Sequence, residues 1–142
     1  MPIMGFNFTK IIAERKSFTK GKIEVKSNIK IDDVKEEKLT LAKEEDGLRF
    51  NFSFTLTYEP KIGEISFTGN ILYSENPKKI KEILKGWKKN KKIPPEINAP
   101  LINTILHRCN LKALELSQEV NLPPQIQMPR LKPQSSAGTY IG

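Results

Sequence analysis

Cysteine and histidine each occur once in this chain of 142 residues, and arginine only four times. Each scarcity removes a class of explanation. A lone Cys109 can form no internal disulfide, so the chain is expected in a reducing compartment, the cytoplasm. A lone His107 leaves acid–base catalysis to a carboxyl or lysine of unusual pKa. The two residues lie two apart on a helical stretch, about 160° around the axis from one another, and cannot share a metal. No Gly-rich phosphate loop or nucleophile-elbow serine is present. The acidic pairs Asp32–Asp33, Glu36–Glu37 and Glu44–Glu45 lack the spacing of a calcium loop. The expectation is a protein that is not an enzyme and needs no cofactor or metal. Nor does any run approach the ~20 apolar residues of a membrane span. The opening MPIMGFNFTKII is not built like a secretory signal, so no membrane insertion is expected.

What the chain has in excess is lysine. Net charge is +8, and eight lysines against one glutamate between Lys78 and Lys92 give that stretch +7. The remainder is close to neutral. Lys78, Lys79, Lys81, Lys85, Lys88, Lys89, Lys91 and Lys92 form a basic surface. Such a surface suits a nucleic-acid backbone, a ribosome or acidic unfolded chains. The dominance of Lys over Arg favours a solvated face over specific phosphate forks. A Lys- and Glu-rich ionic surface is also a compositional trait of hyperthermophiles.

Periodicity then outlines the elements. The length fits a single domain, 1–142, with an ordered core over 5–133 and a frayed tail over 134–142. Phe6, Phe8 and Ile11 or Ile12 alternate, which predicts a first strand over about 5–13. Ile23 and Val25, then a Ser27–Asn28 turn, then Ile29 and Ile31, with Leu39 and Leu41 beyond, read as a thin excursion or short edge strands. Leu48, Phe50, Phe52, Phe54, Leu56 and Tyr58 fall at period two, a long half-buried strand. EPKIG turns the chain, and Ile65, Phe67, Ile71 and Tyr73 bring it back, with Gly69 marking a bulge or a close approach.

Asn76–Pro77 is a helix start. Ile80, Ile83, Leu84 and Trp87 form one helical stripe, which places Trp87 in the core, and Ile93–Pro94–Pro95 ends the element. A long helix follows from Asn98 or Ala99, with Pro100 in its first turn. Leu101, Ile102, Ile105, Leu106, Cys109, Ala113, Leu116 and Val120 share one broad face, so Cys109 reads as a packed small hydrophobe and His107 as exposed. Leu111 and Leu114 fall outside that face and need a second surface, which another subunit would supply. Asn121 can take the left-handed position that ends the helix, and Pro123–Pro124 prevents continuation.

The order of these elements resembles the SecB-like protein-export chaperone family, in its archaeal or toxin–antitoxin-associated branch. GFNFTKIIAERKSF resembles the family's opening strand, LRFNFSFTLTYEPKIGEISFTGNILY its central hairpin, and EINAPLINTILHRCNLKALELSQEVNLPPQIQMPRL its long helix, proline-bounded turn and apolar C-terminal segment. The resemblance implies an α+β fold: a four-stranded antiparallel sheet with a long C-terminal helix and a shorter basic helix on one side. It implies a homodimer or homotetramer that holds unfolded or precursor polypeptides in apolar grooves without ATP. Carried onto this chain, the client-binding groove falls on Ile23, Val25, Ile29, Ile31, Leu39 and Leu41, with Ile126 and Met128 as the opposite wall. The oligomer interface falls on Leu101, Ile105, Leu111 and Leu114. Export chaperones of this kind are acidic and dock a translocase motor through sheet carboxylates. Here the return strand offers only Glu64 beside Ser66, Thr68 and Asn70, so the expectation is general holdase activity. The alternative is a basic nucleic-acid- or ribosome-associated protein working through the 78–92 lysine helix.

Overall fold

The computed structural model describes residues 3–18, 21–40, 44–127 and 129, leaving aside the side chains of 39, 40 and 44–46. Four antiparallel strands, β1 (Ile3–Arg15), β2 (Glu24–Thr40), β3 (Glu44–Glu59) and β4 (Gly63–Ser74), precede two helices, α1 (Pro77–Asn90) and α2 (Pro95–Glu119). Spatial order is β1-β4-β3-β2, so β3 and β4 are central and β1 and β2 form the two edges. This is a Greek key read from its far end: three hairpin-linked strands, with the first strand returned beside the last by a longer connection. That connection passes over the β3–β4 turn, where the backbone amides of Lys16 and Ser17 both donate to the Ile62 carbonyl at 2.7 and 3.2 Å.

The central hairpin follows its alternation. Leu48, Phe50, Phe52, Phe54, Leu56 and Tyr58 are all buried, as are Ile65, Phe67, Ile71 and Tyr73 opposite them. The helices lie on this apolar face, and the polar alternates Asn51, Ser53, Thr55 and Thr57 are half-exposed on the other. Gly69 satisfies both halves of its expectation. β1 carries an extra residue, Thr9, directly across from it, and a Cβ at Gly69 would run into the Asn7 carbonyl and stand 2.7 Å from Phe52.

The excursion is corrected. Residues 24–40 make one strand of 17 residues, and Ser27 and Asn28 do not turn but pair with Leu56 and Thr55. Serine and asparagine favour turns only when no partner strand fixes the backbone, and β3 supplies one along this whole length. A bulge between Ile31 and Asp33 then shifts the phase. Val25, Ile29 and Ile31 face the helices at odd positions, and Val34, opposite Phe50, faces them at an even one. The first strand is also longer at both ends than 5–13.

α1 begins as read: the Asn76 side chain accepts from the Lys79 amide at 2.8 Å and Pro77 occupies the first turn. It ends at Asn90, with Lys91 in the left-handed region at φ 58°. α2 starts earlier than expected, at Pro95, which puts Pro100 inside the helix. Pro95 suits a first helical position, and the free amides of Ile97 and Asn98 both reach the Pro94 carbonyl at 2.9 Å. Asn121 does take a left-handed conformation, φ 55°, and Leu122 then packs over Gly63.

Candidate functional site

An edge strand can bury only what its one neighbour and the covering layer reach. Ile23, Val25, Ile29 and Ile31 pack against the core yet stay half-buried, unlike every inward residue of β3. In the middle of β2, this row opens into a cavity of about 780 Å³. Ile31 forms its floor with Lys30 and Asp32, α1 contributes Gly86, Trp87 and Asn90, and α2 contributes Asn98 and Ile102. The end wall is the link Lys91–Pro95. The left-handed Lys91, whose amide donates to the Trp87 carbonyl at 2.9 Å, throws that link back toward the sheet.

Sequence reasoning placed Ile31 here and missed Trp87, Ile93, Pro94, Asn98 and Ile102. Ile93–Pro94–Pro95 reads locally as a helix stop, and that it also walls a cavity depends on where the two helices sit. Of the other groove candidates, Ile23, Val25 and Ile29 continue the row away from the cavity. Ile126 is 44% exposed, beyond Gln125, whose amide binds the Asn110 carbonyl at 2.9 Å, and it does not line the cavity. The Leu39 side chain, Leu41 and Met128 lie outside the described residues.

The interface candidates divide. Leu101 and Ile105 are both fully buried within the chain. They belong to the row Leu101, Ile105, Cys109, Ala113 and Ser117 that α2 lays on its own sheet, so they present nothing to a second subunit. Leu111 is 56% exposed and Leu114 half-buried on the outer side. On the opposite sheet edge Met4 and Ile11 are also exposed.

The cavity's lining mixes apolar side chains with the charged groups Lys30, Asp32, Glu82, Lys91 and Lys92. Asp32 is engaged by Lys30 at 3.5 Å and by the Ser53 hydroxyl at 3.3 Å. Burial pushes the Cys109 thiol up to about 12, which leaves it protonated and non-nucleophilic. Burial likewise raises Tyr58 to about 12, and its hydroxyl has no partner among the described residues. Tyr73 also rises to about 12, through burial first and then the Glu75 carboxylate, to which it donates at 3.2 Å, with a further contribution from Glu96. His107 is exposed. Among the described residues no three His, Cys, Asp or Glu side chains are grouped to hold a metal, and no helix is long and apolar enough to cross a membrane.

The basic surface stands apart from the apolar row. Of its eight lysines Lys79 is half-buried and paired with Glu96 at 3.5 Å, and the other seven are exposed. Lys91 and Lys92 reach the cavity rim, with the Lys91 ammonium 5.1 Å from the Trp87 ring centre.

No protein-family model and no curated protein sequence matches this chain. Among solved structures it is similar to a SecB-like chaperone of Mycobacterium tuberculosis, in complex with a ChAD peptide from the HigA1 antitoxin. The TM-score is 0.55 at 11% identity, over 92% of this chain and 91% of that one. The fold is SecB-like. The SecB-like arrangement is an α+β one, with four antiparallel strands and two helices, and the long second helix of this chain packs over β4.

Proposed function

We propose that this protein is an ATP-independent holdase that takes exposed apolar side chains of unfolded or nascent polypeptides into the row and cavity on β2. The reading rests on one observation above all. Val25, Ile29 and Ile31 are left half-buried along an open sheet edge in a fold shared with a chaperone solved with a bound peptide. Each client side chain covered there gains on the order of 1 to 2 kcal/mol, with no bond made or broken. Affinity then comes from several such contacts made by one long chain. No catalytic step, cofactor or metal enters the mechanism. Self-association would cover Leu111 and Leu114, giving a homodimer or homotetramer that presents several grooves at once, and the reducing cytoplasm is the setting in which a lone buried thiol fits.

The test is suppression of aggregation of a chemically unfolded client without nucleotide, with the protein's mass measured by light scattering in the same buffer. Protection at near-stoichiometric ratios, lost in an Ile29→Ser/Ile31→Ser double variant that keeps its fold, is the expected result. A folded protein giving no protection at any ratio would remove the holdase reading and leave the fold without its usual activity.

A further inference from the structure

We propose that the lysine face of α1 is a second recognition surface, for acidic stretches of polypeptide that carry an apolar side chain; the inference rests on the client-binding reading and specifies which clients are preferred. Outside α1, Lys16 pairs with Glu64, Lys30 with Asp32, Lys35 with Asp33 and Lys112 with Glu115, while Lys10, Lys22, Lys26 and Lys61 stand apart from one another along the strands and turns without an ion-pair partner among the described residues. On the exposed side of α1 none of Lys81, Lys85, Lys88 and Lys89 has an ion-pair partner among the described residues. Lys81, Lys85 and Lys89 follow one another at i, i+4, with Lys88 between them on the same side, a spacing at which like charges weaken a helix. Lys78 and Lys79 stand in the first turn, at the positive end of the helix, a turn that holds no acidic residue; Lys79 is paired with Glu96 of α2 and Lys78 has no ion-pair partner among the described residues. Solubility asks only for net charge and is served as well by mixed signs. A face with one carboxylate, Glu82, among its exposed lysines keeps a large positive excess that works against its own helix, and it fits an anionic partner, which would relieve the repulsion on binding.

The shape of the face selects among anions. Leu84, half-buried, sits with Lys81, Lys85, Lys88 and Lys89 around a shallow depression of about 590 Å³. An apolar side chain bordered by four lysines complements an apolar side chain flanked by Asp or Glu. It matches a nucleic acid poorly. Trp87 is 6% exposed and reaches the surface only as a wall of the cavity, so the lysine side of the helix offers no aromatic surface for a base to stack on. The helix also carries no arginine to fork a phosphate. At the C-terminal end of α1, Lys91 and Lys92 carry the positive face onto the rim of the cavity, so an apolar segment held in the cavity leads its acidic neighbours onto the lysines.

The experiment measures fluorescence anisotropy of three labelled peptides with one apolar centre and flanks of Asp/Glu, Ser/Gly or Lys, alongside an oligouridine, at low and moderate salt. The full-length protein is compared with a K81E/K85E/K88E/K89E variant whose folding is checked by circular dichroism. The expected result is at least tenfold tighter binding of the acid-flanked peptide than of the lysine-flanked one, narrowing as salt rises. In the variant the order reverses and the Ser/Gly peptide stays within about twofold. Polyglutamate should also raise the melting temperature of the parent and not of the variant. Equal binding of all three peptides, or a preference that survives charge reversal, would overturn the proposal and leave the holdase reading intact. Oligouridine bound more tightly than the acid-flanked peptide would overturn it in favour of nucleic acid. No binding of any peptide would remove both readings, whereas binding of the acid-flanked peptide alone would uphold this surface and remove the apolar groove.

Discussion

α1 keeps its buried residues on one stripe, Ile80, Ile83 and Trp87, and gives nearly all the rest of its surface to lysine, whereas α2 buries a row along its length and still leaves Leu111 exposed on its back. The starts differ in the same sense. A side chain, Asn76, caps α1, but α2 begins at Pro94 with no side-chain cap and relies on a backbone carbonyl. α1 is therefore held by local signals and one packed stripe, with its own charges opposing it. α2 is held by what it lies on, and small residues in its row, Cys109, Ala113 and Ser117, let it approach β4 closely. A helix that contributes little to the core can be spent on a surface, and a helix that makes the core cannot.

That contrast is most exposed to failure at Ile105. Truncation by Ile105→Ala should cost about 2 to 5 kcal/mol in a urea titration, and Leu111→Ala less than about 0.5 kcal/mol while lowering the mass of any oligomer. Equal costs at the two positions would mean that α2 has no inner and outer side. Asn76→Ala comes next, at about 1 kcal/mol, because the Lys79 amide loses its acceptor. Alkaline pH probes the layer beneath α2. Burial raises Cys109 from 9.0 to about 12 and Tyr58 from 10.0 to about 12, so on passing pH 9 the unfolded chain releases protons that the native one retains. Their stabilising contribution is complete below about pH 9 and is lost as pH climbs through about 12. Tyr58→Phe should flatten this decline and leave neutral-pH stability unchanged or improved by up to about 1 kcal/mol, since the lost hydroxyl had no partner. Smallest of all, Lys85→Gln should stabilise by a few tenths of a kcal/mol at low salt and by nothing measurable at high salt.

How far the sequence carried depends on whether a signal was local. The β3–β4 hairpin, the Asn76–Pro77 start and the Asn121 stop were legible because each is written in consecutive residues: a strict period of two, a cap with its proline, an asparagine able to turn left-handed. β2 was misread because Ser27–Asn28 carries a turn signal that only a neighbouring strand overrules. The change from odd to even apolar positions between Ile31 and Val34 did record the bulge, for a reader counting phase through Asp32 and Asp33. Leu101 and Ile105 were assigned to an interface because an apolar helix face does not say which partner it meets. The small residues following them in the same row were the sign that it meets the sheet. The cavity was half legible. Ile31 announced an apolar edge, but its far walls come from Trp87, Ile93 and Ile102, which converge only after the left-handed turn at Lys91.

The strap of Lys16 and Ser17 over the Ile62 carbonyl also bears on how this molecule is made. It lets β1 lie against β4, with partners separated by 48 residues at Arg15–Gly63 and by 70 at Ile3–Tyr73. During synthesis β1 leaves the ribosome well ahead of the strand that will cover it. Phe6 and Phe8 then wait in an unpaired apolar segment until β4 has followed. A protein proposed as a keeper of incomplete chains spends its own first moments as one.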